Sequence, residues 1–258
     1  MNQRERLKYL VEYLLKEKII NIDIPATDDE LFSLYRSLVN IREAAPISKE
    51  FIEIEGLMLE EETNKKGIVE LDKSQRIIVW KGDITRLKVD VIVNAANNRM
   101  EGCFIPEHHC IDNAIHTYAG IELRNESHQI MTRQGFLEPV GKAKITKAYH
   151  LPSRYILHTV GPIIKDIITT KDEILLASCY ESCLRLAEDH HLSSIAFCCI
   201  STGVYHFPPK RAAEIAVKTI QKYLQHSNIK QVIFNVFSDQ DEEIYHQILS
   251  HEIKIEQK

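Results

Sequence analysis

From Lys73 onward the chain alternates two kinds of segment, and this alternation restricts its fold more than any other feature. "RIIVW", "VDVIVNA", "YILHTV", "SIAFCCI" and "QVIFNVF" are short apolar runs rich in β-branched residues. Between or after them lie longer stretches with helical spacing: "IDNAIHTYAGIELRNESHQIMTRQ", "DEILLASCYESCLRLAEDH", "PKRAAEIAVKTIQKYLQHS" and "DEEIYHQILSHE". Strands that are apolar on both faces must be covered on both faces, and intervening helices supply the cover. The pattern predicts an α/β domain with a parallel or mixed central sheet. Such sheets bind ligands at the carboxyl ends of their strands. Three loops stand there: "KGDIT", "NAANNRMEGCFIPEHHC" and, after "SIAFCCI", "STGVYHFP".

The residues before Lys73 read as helical. "RLKYLVEYLLKEKII" places apolar residues at helical spacing. "PATDDELFSLYRSLVNIREA" opens with Thr27 as an N-cap and Asp28, Asp29 and Glu30 in the first turn, where the helix dipole favours acids. A third helix, "SKEFIEIEGLMLEEETNKKG", closes near Gly67. We therefore expect a small helical extension over residues 1–72, packed on a main domain over residues 73–258. No chemistry is read in the extension itself.

Charge and composition narrow the function. With 258 residues, 44% of them hydrophobic, the chain can bury a sizeable core. A net charge of -5 leaves no basic footprint for nucleic acid. No apolar run has the length of a bilayer span, so no membrane insertion is expected. The opening "MNQRERLKYLVEYLLKEK" mixes acids with bases and lacks the apolar region of a signal peptide, which points to the cytoplasm. In a reducing compartment the six cysteines are expected as thiols. Cys179 and Cys183 share a helix face, and Cys198 and Cys199 point to opposite faces of a strand; all four read as core residues.

Cys103 and Cys110 need another account, because "EGCFIPEHHC" crowds two thiols and two imidazoles between a strand and a helix. Thiolate and imidazole are the usual zinc ligands. His108 and Cys110 are two residues apart, so an extended segment points them the same way and His109 the other. Cys110 precedes a helix starting near Ile111, a place that favours the thiolate. Three ligands from one loop leave one zinc position open, as in catalytic sites. Spacing alone leaves a redox-inert loop as the competing reading, since the paired C-x2-C form is absent. Asp112 either suits the helix dipole or orients a nucleophile; His116, on the same helix face, reads as structural. In "STGVYHFP", Ser, Thr and Gly before a helix suit phosphate, although most such turns bind nothing. Asp83 caps a turn or accepts from an exocyclic amine.

Together "KGDIT", "VDVIVNAAN", "DNAIHTYAG", "YILHTVGP" and "ISTGVY" resemble, in order and spacing, the macrodomain family, which binds ADP-ribose. The resemblance runs from about Lys73 to the C-terminus and implies a three-layer α/β/α domain with a mixed sheet. It implies that Asp83 bonds the adenine amine, Ile84 contacts adenine, Asn97 holds the distal ribose and Asp112 lies beside it. Ser201, Thr202, Gly203, Val204 and Tyr205 would wrap the diphosphate, and Phe237 would stack near adenine. His206 stands where the family usually has glycine. Where ordinary macrodomains carry glycines after "NAAN", this chain has "EGCFIPEHHC", which is similar to the zinc-containing branch of bacteria and fungi with its N-terminal helical extension. That branch implies one Zn2+ held by Cys103, His108 and Cys110, with Asn97 and Asp112 catalytic. The implied activity is hydrolytic removal of mono-ADP-ribose from protein side chains. A reader that only binds ADP-ribose and an O-acetyl-ADP-ribose deacetylase are the alternatives. The branch also suggests a lipoyl-carrier protein and a sirtuin-type ADP-ribosyltransferase as partners.

Overall fold

A computed structural model of the chain describes residues 1–256. Three helices come first: α1 (Gln3–Lys18), α2 (Asp28–Ile41) and α3 (Lys49–Lys66). Asn2 and Thr27 close capping boxes with Glu5 and Glu30, and Ser48 caps α3. The helices bury a core of their own, built around Leu10, Leu14, Leu31, Tyr35, Phe51 and Met58. That core also takes in Ile121 of the main domain, so the extension is packed against the domain.

The sheet has six strands: β1 (Ile77–Lys81), β2 (Val91–Ala95), β3 (Ala143–Lys147), β4 (Tyr155–Thr159), β5 (Ser194–Phe197) and β6 (Gln231–Val236). Their order is β1-β6-β5-β2-β4-β3. All neighbours pair parallel except β3, which runs antiparallel to β4. The five apolar runs of the sequence are the five parallel strands. β3 is an addition to the expected set: "AKITK" carries two lysines and sits on an edge, where charge blunts further pairing and a long apolar run is not required.

The helices of the domain are α4 (Ile111–Ala119), α5 (Ile121–Gln134), α6 (Thr170–Asp189), α7 (Pro209–Leu224) and α8 (Asp239–Glu256). The stretch 111–134 reads as one helix in sequence but forms two. Gly120 breaks it with φ +91° and ψ 174°, a conformation that disfavours a side chain. The next N–H, that of Ile121, donates to Glu55 Oε2 at 3.0 Å. A helix start capped by a carboxylate from α3 leaves no local sequence signal. Crossovers leave β2 toward β4 in one direction and run from β4 through β5 to β6 in the other. Right-handed connections therefore place α4 and α5 on one face and α6 and α7 on the opposite one. None of the described helices is long and apolar enough to cross a membrane.

β2 lies between β4 and β5, where the chain reverses its direction of travel across the sheet. The carboxyl ends of β2 and β5 thus flank a topological switch point, the expected crevice for a ligand. Asn97 follows β2, and Ser201 follows β5.

Candidate active site

At the end of β2, buried Asn94 and Asp112 and half-buried Asn97 form a cluster. Asn94 Nδ2 donates to Asp112 Oδ1 at 2.8 Å and contacts His158 Nδ1 at 3.1 Å. His158 Nε2 lies 2.9 Å from Thr146 Oγ1, which fits the tautomer with its proton on Nε2. Burial pushes the imidazole of His158 down to about 3, so it stays neutral. Asn97 Nδ2 donates to Asp112 Oδ2 at 3.2 Å and to the Gly102 carbonyl at 2.9 Å. Burial pushes the Asp112 carboxyl up to about 6; Asn94, Arg124 and Asn97 oppose that rise. His116 is buried, and its Nε2 stands 3.6 Å from Asp112 Oδ1, beyond hydrogen-bond reach.

The loop Glu101–Cys110 brings Cys103, His108 and Cys110 together, with their ligand atoms all within 4.8 Å of one another. Cys103 Sγ lies 3.6 Å from His108 Nδ1. Zn–S and Zn–N bonds of about 2.3 and 2.0 Å at a tetrahedral angle separate the two donors by about 3.5 Å, close to the spacing of this pair, so the pair fits zinc. His109 is exposed and outside the cluster. Cys110 is the N-cap of α4, its Sγ accepting from Asn113 N–H at 3.4 Å. The Asn113 N–H at the helix N-terminus favours the thiolate, as expected, but burial outweighs it and pushes the Cys110 thiol up to about 12, with Cys103 adding to the rise. A bound cation is what deprotonates such a thiol.

The loops at the ends of β1, β6 and β5 continue the cleft. Asp83 caps a 3-10 turn, Ile84–Arg86, accepting from Thr85 N–H at 3.0 Å and Thr85 Oγ1 at 2.6 Å. Its second oxygen pairs with Lys66 of α3, which also donates to Thr85 Oγ1 at 2.7 Å. Burial would raise the Asp83 carboxyl, but Lys66 and Thr85 outweigh it and hold the group below the usual range. Ile84 is buried beside it. Phe237 follows β6 and is 83% exposed.

In the loop after β5, Ser201 is buried, while Gly203 and Val204 are exposed and Thr202 and Tyr205 half-buried. Thr202 Oγ1 donates to the Cys199 carbonyl at 3.0 Å. The loop closes on itself through His206 N–H to Gly203 O, 3.0 Å, and Phe207 N–H to Ser201 O, 3.0 Å. Among the described residues, the N–H groups of Gly203, Val204 and Tyr205 have no backbone acceptor. His206 has φ +57°, so it adopts the left-handed backbone that a glycine takes readily.

Sequence reasoning missed the extension's part in this site. Lys66 reaches Asp83, and Arg36 and Asn40 of α2 bond the loop Glu101–Cys110 and α4. On a helix surface these residue types carry no functional signal. Asn94 did have one: a lone polar residue inside the apolar run "VIVNA" must find partners where it is buried.

The comparisons agree with this architecture. The Macro domain family model matches residues 93–216. A protein-ADP-ribose hydrolase of Treponema medium is 48% identical over 97% of this chain and 100% of its own length. A protein-ADP-ribose hydrolase of Staphylococcus aureus is 46% identical over 95% of each chain. A solved macrodomain of Oceanobacillus iheyensis, a mutant form with ADPR, aligns with a TM-score of 0.64 and 39% identity. That alignment covers 72% of this chain and 98% of the solved one. The fold and these matches define a macrodomain. The chain belongs to the macrodomain family, within its group of protein-ADP-ribose hydrolases.

Proposed function

We propose that this chain hydrolyses the bond between ADP-ribose and a modified protein side chain, with one Zn2+ held by Cys103, His108 and Cys110. The observation that carries the reading is the double bond of Asn97, whose amide ties the metal loop at Gly102 to Asp112. Metal ligands, ribose-holding residue and carboxylate thereby form one cluster at the switch point.

Asp83 is kept charged by Lys66 and accepts from the adenine amine, with the Ile84 backbone in contact with adenine and Phe237 stacked near it. The free N–H groups of Gly203, Val204 and Tyr205 receive the diphosphate, flanked by Ser201 and Thr202. Asn97 fixes the distal ribose. Asp112, braced by Asn94 and Asn97, orients a water or takes its proton. A zinc ion in this loop supplies a Lewis acid for water or a ribose hydroxyl. In the reaction the water oxygen bonds to the anomeric carbon or to the ester carbonyl. The bond to the side chain breaks, and the proton from water ends on the leaving group. The products are ADP-ribose and the free side chain. The relatives are named for a protein and ADP-ribose, which supports a modified protein as the substrate and supports neither a lipoyl carrier nor a sirtuin-type partner.

The test is release of ADP-ribose from mono-ADP-ribosylated proteins of several linkage types by wild type and Cys103→Ala, with zinc content measured on both. Turnover by wild type, with zinc and turnover both lost in the variant, is expected. Tight ADP-ribose binding without release by wild type would replace the hydrolase by a reader.

A further inference from the structure

The loop that holds the three metal-binding side chains is fastened from outside the domain that carries it. Asn40 of α2 is buried, and its Oδ1 accepts from Glu107 N–H at 3.0 Å and from Asn113 Nδ2 at 2.8 Å. Its own Nδ2 donates to Thr117 Oγ1 on α4 at 3.1 Å. One turn earlier, Arg36 donates through Nη2 to the His108 carbonyl at 3.1 Å and to Asn113 Oδ1 at 2.8 Å. Asn113 completes the junction, with its Nδ2 on the Ile105 carbonyl at 2.9 Å and its N–H on Cys110 Sγ. Ser33, also on α2, donates to Glu107 Oε1 at 2.5 Å.

Glu107 has φ +52°, a left-handed conformation that costs a non-glycine residue and persists only when its surroundings enforce it. The neighbours that enforce it are Asn40 on its N–H and Ser33 on its carboxylate. From the opposite side Arg124 of α5 donates to the Glu101 carbonyl at 2.7 Å and stacks over Phe104 at 4.3 Å. The same guanidinium takes the last carbonyls of α2: Val39 at 2.8 Å, Asn40 at 2.9 Å, and Arg42. Those carbonyls have no partner within their own helix, and a cation there also suits its dipole. Both ends of the loop are thus referenced to α2.

We propose that Arg36 and Asn40 are positioning residues of the metal centre, so that the helical extension sets how firmly the loop holds its ligands in register. They act through Asn113 and the backbone at Glu107 and His108, and touch no reacting atom. Neighbours of metal ligands typically change metal affinity about 10–100-fold when removed. The inference rests on the metal reading above for its zinc measurement, and on geometry alone for its loop measurement.

The experiment uses the full chain, with Arg36→Ala, Arg36→Lys, Asn40→Ala and Asn40→Asp. Arg6→Ala serves as control, because it breaks an ion pair with Glu61 inside the extension, away from the loop. Zinc release to a chromophoric chelator is timed, and amide hydrogen exchange of residues 101–110 is followed in metal-free protein. Expected are release at least about tenfold faster in Arg36→Ala and Asn40→Ala, faster loop exchange in both, partial rescue in Arg36→Lys and Asn40→Asp, and no change in Arg6→Ala. Arg36 is half-buried, so Arg36→Ala remains informative should Asn40→Ala fail to fold. Wild-type release and loop exchange in Arg36→Ala would overturn the proposal, as would an equal acceleration in Arg6→Ala. Wild type that holds no zinc would overturn the metal reading instead, and the exchange of the loop would then decide the positioning role.

Discussion

The loop Glu101–Cys110 is tied to packed elements at nearly every turn, by Arg124 at Glu101, Asn97 at Gly102, Asn113 at Ile105, Asn40 at Glu107 and Arg36 at His108. The loop Ser201–Tyr205 bonds mostly to itself and leaves three N–H groups free. Both stand at carboxyl ends of adjacent parallel strands, β2 and β5. On the proposed reading, the difference reflects what each loop must do. A metal site needs its donors fixed before the ion arrives, since a loose donor loses geometry and affinity together. A diphosphate site needs unfilled N–H donors, and the anion itself completes them. The extension bonds the first loop through Ser33, Arg36 and Asn40 of α2, and among the described residues no hydrogen bond runs from it to the second.

Substitution of the glycine in the fixed loop is the harshest test. A Cβ on Gly102 would meet the His116 ring at 2.7 Å, and φ +83° is strained for any side chain. His116 is buried and cannot swing away. Gly102→Ala should cost about 2–4 kcal/mol, as overpacking and left-handed strain combine. It should also lower zinc content. Thermal melting and metal analysis on one preparation would check both; a cost near zero would mean that the metal loop is as open as its counterpart after β5.

The anchoring itself should carry a pH signature. Glu55 of α3 is buried, accepts from Tyr35 Oη at 2.6 Å and from Ile121 N–H at 3.0 Å, and so joins the extension to the start of α5. Burial raises its carboxyl from 4.5 to about 7; Tyr35 and Ile121 oppose the rise, Glu122 adds to it and Arg42 opposes it. Between those two values the folded chain holds a proton that the unfolded chain has released. Stability from this group is therefore greatest at the acidic end and falls as pH rises toward 7, by up to about 3 kcal/mol. Glu55→Gln should flatten the wild-type slope between pH 5 and 7.5 (both about the titration window). Parallel slopes in denaturant titrations of the two proteins would show that this junction does not titrate.

Much of this was readable before any coordinates. Five of the six strands announce themselves as apolar runs, because parallel strands covered on both faces are predominantly apolar. β3 does not, since an edge strand can carry Lys144 and Lys147. The Cys103–His108–Cys110 cluster was legible because thiols and imidazole are scarce and their spacing in one loop brings them together. Arg36, Asn40 and Lys66 were not. Their partners lie 72, 67 and 19 residues away along the chain, and nothing local distinguishes them from solvated helix residues. The break at Gly120 failed for the same reason: the carboxylate that starts α5 comes from another helix. Local sequence encodes what each segment prefers, whereas the fastening of the site is a property of which segments meet.

The gentlest perturbation falls on the open loop. A Cβ on Gly203 meets nothing within 4 Å, and its φ is not in the left-handed region. Gly203→Ala should leave stability within about 0.5 kcal/mol of wild type. The space is open only until a diphosphate fills it, and a methyl group there would hold the phosphate oxygens away from the free N–H groups. ADP-ribose affinity should then fall about tenfold, or about 1.4 kcal/mol, with zinc content unchanged. Calorimetric titration of ADP-ribose into both proteins, beside their melting curves, separates the two quantities. Unchanged affinity would take the diphosphate off Gly203; a clear loss of stability would show that this loop is as tightly packed as the one that carries Cys103, and the contrast between the two ends would collapse.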